Sequence, residues 1–188
     1  MRKIVAVIGD AFVEENSLKY TQAKELGKLL VDNGYRIQTG GLNGVMKAVF
    51  EGAKTSTNYV DGDTIGIVPS FNRDEVNEYA DIVIPTGLDI LRNVLVINAN
   101  AVVAIGGGAG TLSEMAMAWS VGKLIVAFDN VDGWSQKLAD SKIDDRVRYE
   151  NILDDRVYGV NNPIDAVNII NQKADLYTKR HEGIHYRR

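Results

Sequence analysis

Short apolar runs, rich in β-branched residues, alternate with longer stretches of helical periodicity along most of the chain. Some of these runs are apolar at every position, as in Val102–Ile105, which is typical of strands covered on both faces of a parallel sheet. Strands are predicted at Ile4–Ile8, Tyr35–Gln38, Thr64–Val68, Asp81–Ile84, Ala101–Ile105 and Leu124–Phe128, with a short edge strand at Arg156–Gly159. The alternation predicts an α/β fold with a doubly wound, mostly parallel sheet and helices on both faces.

Helices are predicted between these strands from capping residues and from the spacing of apolar positions. The first two begin at Asn16 or Ser17 and at Asn43, whose side chains are typical N-caps. The others are Leu88–Asn98, Gly110–Val121, Trp134–Ser141 and Pro163–Lys173. A chain of 188 residues has the length of one domain, so we expect a single domain over residues 1–188, with a basic tail at 179–188.

Composition removes several classes of function. The chain has no cysteine, which excludes disulfides, thiolate metal sites, iron–sulfur clusters and thiol catalysis. Its two histidines, His181 and His185, lie in the last eight residues, which argues against a histidine triad or a histidine metal site in the body of the fold. We therefore predict no metal site.

Charge and hydropathy bear on partners and location. The net charge of −4 argues against a nucleic-acid partner. No apolar run approaches the ~18–20 residues that a membrane span requires. The N-terminal residues enter a strand-like run directly, without the pattern of a signal peptide. These features predict a cytoplasmic protein without membrane contact.

Glycine-bearing segments follow three of the predicted strands. In open α/β sheets, ligands bind outside the carboxyl ends of the strands, so these segments are candidate binding elements. Their candidate ligand-binding residues are Gly9, Asp10, Gly40, Gly41, Asn43, Gly106, Gly107, Gly108, Ala109, Gly110 and Thr111. For Asn43, a purely structural role as helix cap and turn residue is an alternative.

The segment Gly106–Thr111 carries the strongest chemical signal. Glycines let backbone N–H groups approach an anion, and the helix that follows directs its N-terminal dipole at the same place, so a phosphate is the natural ligand. The segment lacks the Gly-Lys-Ser/Thr of a Walker loop, and Thr111 stands where the dinucleotide fingerprint needs its third glycine. A tight turn without a ligand is the alternative, but four glycines within six residues exceed what a turn needs.

Three polar residues lie close to the glycine segments in the predicted topology. Thr111 and Glu114 match a capping box, in which both side chains satisfy the first amides of a helix. Alternatively, Glu114 is a carboxylate at the mouth of a phosphate pocket, free to act on a sugar, and the two roles are compatible in different ligand states. Arg92 would ordinarily lie at the surface, but with Asn93 beside it and apolar neighbours on the other faces, it is also a candidate ligand group.

Two motifs give the chain a resemblance to a known family. Gly106–Glu114 resembles the Pro-Gly-Gly-x-Gly-Thr-x-x-Glu motif of the LOG-like family, and Thr39–Met46 is similar to the family's earlier Gly-Gly-Gly-x-x-Gly-Leu-Met motif. Members of this family were long labelled "possible lysine decarboxylase" and are related to the DprA/Smf proteins. The resemblance covers residues 4–128 and implies a Rossmann-like nucleotide-binding domain.

The resemblance also implies an activity, that of a nucleoside 5′-monophosphate phosphoribohydrolase. Such an N-glycosyl hydrolase releases a free base and ribose 5-phosphate. The glycine segment would hold the 5′-phosphate, and Glu114 would face the ribose, stabilise the oxocarbenium-like transition state and orient water. The family's catalytic arginine would be Arg92, fixing Glu114 or ribose oxygens.

Some positions depart from the hydrolase pattern, namely Thr39, Asn93, Gly106 and Ala109. This combination is closer to a subgroup that includes molybdenum cofactor carrier proteins, which bind a pterin phosphate in the same cleft without hydrolysis. The alternative function is therefore non-catalytic binding of a nucleotide or a molybdopterin-like phosphate ligand. Neither function requires an additional cofactor. The decarboxylase label lacks support, because no lysine stands next to a pyridoxal phosphate signature.

Assembly is implied mainly by the resemblance, which suggests a homodimer or higher homo-oligomer packed through helices that flank the cleft. The sequence adds that Met115, Met117 and Trp119 place apolar groups on more than one face of the predicted fourth helix. The alternative is that all three are buried within one subunit.

Overall fold

The computed structural model describes residues 1–179, so most of the predicted basic tail at 179–188 lies outside the described residues. Seven strands form one sheet: β1 (Ile4–Gly9), β2 (Arg36–Thr39), β3 (Thr64–Val68), β4 (Ile82–Pro85), β5 (Ala101–Ile105), β6 (Leu124–Phe128) and β7 (Val157–Val160). The spatial order is β4-β3-β2-β1-β5-β6-β7, and every neighbouring pair is parallel. The predicted Rossmann-like α/β fold is confirmed, and in the described residues the sheet is parallel throughout.

Six α-helices cover the two faces of the sheet: α1 (Leu18–Asp32), α2 (Val45–Lys54), α3 (Asn93–Val96), α4 (Ala109–Ser120), α5 (Trp134–Leu138) and α6 (Pro163–Lys173). One core joins α1, α2 and α6 to one face, and a second core joins α3, α4 and α5 to the other. Successive strands move outward from β1 in one direction and from β5 in the other. The strand order therefore reverses between β1 and β5, where open α/β sheets bind ligands.

The predicted third helix, Leu88–Asn98, is wrong in extent. In its place lie a single 3-10 turn, Asp89–Arg92, and the short α3. Asp89 has a φ of +48°, and its amide donates to the carbonyl of Pro69 rather than to the preceding helical turn. The helix therefore cannot extend back to Leu88, although the apolar spacing suits one.

The apolar residues of α4 do not lie at the surface. Met115 and Trp119 are buried within this one chain, and Met117 is partly buried against the same core. The sequence-based support for an interface through this helix is therefore wrong, because its apolar groups pack on the sheet and on α3 and α5. Among residues 1–179, no helix combines the length and apolarity needed to cross a bilayer.

Candidate functional site

A cavity of about 380 Å³ opens at the carboxyl ends of β1, β2, β3 and β5, at the reversal of strand order. Of the residues predicted for the site, nine line this cavity: Gly9, Asp10, Gly40, Arg92, Asn93, Gly108, Gly110, Thr111 and Glu114. The other five, Gly41, Asn43, Gly106, Gly107 and Ala109, are not part of its lining. Residues far apart in the sequence thus meet at the edge where the parallel strands end.

The amides of the first two glycines in the main glycine segment are used inside the protein. Gly106 donates its N–H to Ser135 Oγ at 2.8 Å, and Gly107 donates to Asp10 Oδ2 at 2.9 Å. Both glycines have positive φ values, +65° and +96°, which side-chain-bearing residues rarely adopt. Gly106 and Gly107 therefore shape the turn between β5 and α4, and their amides are not available to a ligand.

The next four amides are available. Within the described residues, the N–H groups of Gly108, Ala109, Gly110 and Thr111 have no acceptor, and the first helical bond runs from Leu112 N to Gly108 O at 3.0 Å. No side chain caps this end of α4. Unsatisfied N–H groups and the helix dipole together favour an anion at this end. The amides that are available to an anion are thus those of Gly108–Thr111.

The capping box predicted for Thr111 and Glu114 is absent from α4. Gly108 is the N-cap, so Thr111 is already the third residue of the helix and Glu114 the sixth. A capping box needs threonine at the N-cap itself. Glu114 therefore has no capping role.

Glu114 is a nearly buried carboxyl group without a hydrogen-bonding partner. Its exposed fraction is 9%, and no hydrogen bond or ion pair joins it to another residue in the range 1–179. Burial raises the pKa of Glu114 to about 7, although the positive charge of Arg92 acts in the opposite direction. The protonated form of Glu114 is therefore favoured at pH values where an exposed glutamate is ionised.

Arg92 is buried, so its interpretation as an ordinary surface arginine is wrong. Its Nε donates to Ile67 O at 2.9 Å, its Nη1 to Asn93 Oδ1 at 2.9 Å, and its Nη2 to Gly40 O at 3.3 Å. These contacts tie the end of β3 and the glycine segment after β2 to the start of α3. A Cβ atom at Gly40 would lie 2.8 Å from Arg92 Nη2, so a larger residue at this position would displace the guanidinium group.

Asn93 connects Arg92 to the N-terminal turn of α4. Its Nδ2 donates to Ser113 Oγ at 3.0 Å, and this hydroxyl donates to Gly110 O at 2.7 Å. Sequence reasoning did not assign a site role to Ser113, although it stands inside the glycine motif between Thr111 and Glu114. The contacts run without a break from Arg92 to the first turn of α4.

Asp10 holds the glycine turn in place. Its Oδ2 accepts from Gly107 N and also from Lys19 Nζ at 2.8 Å, and Lys19 Nζ lies 3.0 Å from Asp132 Oδ1. Lys19 and Ser135 were missed from the sequence, since neither belongs to a recognisable motif. Asp10 thus contacts the loop that forms the cavity and also lines the cavity itself.

The earlier glycine segment has a mainly structural role in these contacts. Asn43 is exposed and does not cap α2; the N-cap is Gly44, which has a φ of +64° and no capping side chain. The carbonyl of Gly41 accepts from Asn77 N at 2.9 Å. The predicted cap at Asn43 is therefore wrong, because Val45 N, at the start of α2, donates to the backbone of Asp10 instead.

The chain belongs to the SLOG cluster4 family, whose model matches residues 2–158. An uncharacterized protein of Archaeoglobus fulgidus is 36% identical over 124 residues, which cover 65% of this chain and 78% of that protein. A molybdenum cofactor binding protein from the phototrophic bacterium Rippkaea orientalis has a solved structure with a TM-score of 0.73 and 32% identity, covering 92% of this chain and 97% of that one. The solved structure of the molybdenum cofactor carrier protein of Chlamydomonas reinhardtii has a TM-score of 0.70 and 28% identity, covering 91% of this chain and 98% of that one.

These likenesses confirm the resemblance inferred from the two glycine motifs, including the subgroup that contains molybdenum cofactor carriers. Hydrolase activity has no counterpart in the names of these relatives.

Proposed function

We propose that this protein binds a phosphate-bearing pterin of the molybdenum cofactor type and carries it without converting it. One observation carries the proposal: four unpaired amides at the N-terminus of α4 meet a cavity at the point where the strand order reverses. Two solved proteins named for binding or carrying the molybdenum cofactor, each aligned over more than 90% of this chain, support the ligand class.

The residues present suit such a cargo. The amides of Gly108–Thr111 would hold the phosphate, and Ile8, Met46 and Ile90 give the cavity apolar wall for a planar ring. Within residues 1–179, no three His, Asp or Glu side chains are arranged to ligate a metal ion. The metal would therefore be held by its organic cofactor, and the protein would bind the organic part of that cofactor.

A phosphoribohydrolase is the second candidate, and Glu114 is the observation that favours it. A carboxyl group beside Arg92, on the helix whose free amides would hold a phosphate, has the composition of a site that stabilises an oxocarbenium-like transition state. That role requires an ionised carboxylate, whereas burial favours the protonated form of Glu114. The carrier function has no such requirement.

The two functions are separated by combining binding with product analysis. The protein is incubated with neopterin monophosphate, AMP, GMP, CMP and a cytokinin monophosphate, while released base is followed by chromatography. We expect saturable binding of the pterin and no base release; in a thermal or urea unfolding assay, ligand at about 100 times its dissociation constant should add about 2.7 kcal/mol of stability. Base release by the wild type that disappears in Glu114→Gln, with binding retained, would establish the hydrolase instead.

The predicted homodimer has a better candidate surface than α4. Seven large apolar side chains in the segment that runs from β4 through α3 are exposed: Ile82, Ile84, Leu88, Ile90, Leu91, Val94 and Leu95. We call them the β4–α3 apolar surface. Soluble monomers rarely expose large apolar patches, and Ile90 also lines the cavity, so a second copy packed here would lie beside the ligand.

Light scattering at micromolar concentration tests this prediction. We expect the mass of at least two chains for the wild type, and the mass of one chain for Leu91→Asp, which would bury a charge in the interface. Leu153→Asp is the control, because Leu153 is 96% exposed and lies outside this surface. A wild type that runs as a single chain would contradict the dimer.

The cytoplasmic location and the lack of a nucleic-acid partner stay predictions from composition.

A further inference from the structure

We propose that Asp89 recognises the heterocycle of the bound ligand and selects a ring with two adjacent N–H donors, such as the 2-amino-4-oxopyrimidine edge shared by pterins and guanine. The inference rests on the proposed function, since it assumes that the phosphate lies at α4. To the proposed function it adds the chemical class of the ligand's ring and the residue that recognises this ring.

The backbone of Asp89 is unusual for a residue with a side chain. Its φ of +48° lies in the left-handed region, which glycine adopts more easily. Only one other non-glycine residue in the range 1–179 has a positive φ, Asp140. The carboxylate of Asp140 explains that conformation, because its Oδ1 accepts from Gly159 N at 3.1 Å and from Arg156 Nε at 3.0 Å.

Asp89 has no such structural contacts. Within the described residues, its carboxylate takes part in no hydrogen bond and no ion pair, and it lines the cavity. Strained backbone conformations that persist without a structural reason are concentrated at ligand sites. Asp89 is exposed, so water hydrates its carboxylate in the free protein, and a ligand bound in the cavity would take the place of that water.

The position of Asp89 defines which part of a ligand it can reach. Asp89 follows β4, and its amide is bonded to Pro69, directly after β3. The free amides of α4 follow β5, and β5 lies three strand spacings from β3, beyond β2 and β1. At about 4.8 Å between neighbouring strands, the two ends of the cavity are about 14 Å apart. A phosphate bound at α4 thus leaves the far end of an extended phosphorylated heterocycle near Asp89.

The chemistry of a carboxylate then selects the ring edge. An ionised carboxylate has two acceptor oxygens and no donor, so it matches a pair of neighbouring N–H groups. The 2-amino-4-oxopyrimidine edge presents such a pair, in a ring N–H and the exocyclic amine. Hypoxanthine offers only the ring N–H, and adenine offers one donor beside an acceptor. Ile90, next in the chain and also lining the cavity, supplies apolar contact for the face of the ring.

Affinities for four phosphorylated ligands test the assignment by calorimetry: neopterin monophosphate, GMP, IMP and AMP. For the wild type we expect about tenfold tighter binding of GMP than of IMP, and weaker binding still of AMP, as a charge-assisted hydrogen bond at an exposed site would give. The affinities for neopterin monophosphate and GMP, which share this ring edge, show whether the site prefers a pterin or a purine.

Asp89→Asn isolates the carboxylate, since asparagine also tolerates the left-handed region but puts one donor against the ligand's donors. We expect the variant to bind GMP and IMP within twofold of each other. Asp61→Asn is the control: Asp61 is exposed and precedes β3, at the amino ends of the strands and so on the side of the sheet away from the cavity, and this variant should keep the wild-type preference.

The possible results are distinct. Equal affinities of the wild type for GMP, IMP and AMP, or a preference that survives in Asp89→Asn, would overturn the role of Asp89 and leave the phosphate site intact. Failure of all four ligands to bind would overturn the proposed function, and this inference with it. A tenfold preference that disappears only in Asp89→Asn supports the assignment.

Discussion

Replacing Glu114 with glutamine is expected to remove a large part of the dependence of the protein's stability on pH between about 4.5 and 7. The cause is the burial of the carboxyl group beside the cavity, which raises its pKa from 4.5 to about 7 and so favours the proton in the folded state. Glutamine keeps the shape of the side chain but cannot ionise.

The direction follows from the number of protons bound by each state. Between pH 4.5 and 7, the folded protein retains a proton on Glu114 that the unfolded chain has released, so the free energy of unfolding falls as the pH rises. Below this range both states are protonated, and above it both are ionised. The difference between a pKa of 4.5 and one of about 7 corresponds to about 3 kcal/mol of stability lost by the wild type across the range.

Urea unfolding at several pH values measures this effect. The stability of Glu114→Gln relative to the wild type should increase by about 2–3 kcal/mol between pH 5 and pH 8, while contributions of other carboxylates cancel in the comparison. Glu25→Gln is the control, because Glu25 is exposed on α1, and its difference from the wild type should stay constant. A constant difference for Glu114→Gln as well would contradict the burial of an ionisable group at this position.

The sequence predicted the architecture because the pattern of a buried parallel strand is local. Continuously apolar runs such as Ala101–Ile105 and Leu124–Phe128 match β5 and β6 residue for residue. The position of the cavity also followed from the sequence, since the carboxyl-end rule needs only the strands and the glycine segments that come after them. No long-range information was required for either.

The contacts that define the site could not be predicted in the same way. Which glycine amides are free depends on Ser135, 29 residues from Gly106, and on Asp10, 97 residues from Gly107. Neither partner belongs to a motif. The burial of Arg92 likewise depends on the carbonyl groups of Ile67 and Gly40, which reach it only in the folded sheet.

The helical spacing of apolar residues led to a wrong prediction in the segment before α3, where these residues do not face the core. Leu88, Leu91 and Leu95 have helical spacing, yet all three are exposed, and the segment is broken at Asp89. The periodicity shows that these residues share a face, but not whether that face packs inside the chain or against another molecule. Met115 and Trp119 gave the opposite error, since α4 buries more than one of its faces.

Gly110→Asp is expected to abolish tight binding of phosphate ligands while leaving the fold intact. Gly110 lies in the first turn of α4, lines the cavity and has an amide without an acceptor in the described residues. A Cβ atom there would meet no atom within 4 Å, and the φ of Gly110 is not positive, so a side chain can be added without strain. An acidic residue in the first turn of a helix also interacts favourably with its dipole, by about 0.3–1 kcal/mol.

The same carboxylate competes with the ligand. It would be held close to the free amides of Gly108–Thr111 and repel a phosphate from them, removing charge-assisted hydrogen bonds worth about 1.5–3 kcal/mol each. Loss of two such bonds corresponds to a reduction in affinity of at least about a hundredfold. Calorimetry with neopterin monophosphate or GMP measures the change, and the melting temperature checks that the variant is folded.

Gly110→Asn separates charge from shape. Asparagine has nearly the same volume as aspartate and the same open space around it, but it does not repel a phosphate. We expect Gly110→Asn to bind within a few-fold of the wild type, because the backbone amides stay in place and only the new side chain intrudes. If Gly110→Asp and Gly110→Asn lose affinity equally, the loss is steric and the phosphate need not lie at the helix. If Gly110→Asp binds as tightly as the wild type, the phosphate lies elsewhere, and the assignment of the α4 amides fails. A large difference between the two variants follows only if a negative charge on the ligand meets the N-terminus of α4, because charge is the property in which aspartate and asparagine differ most.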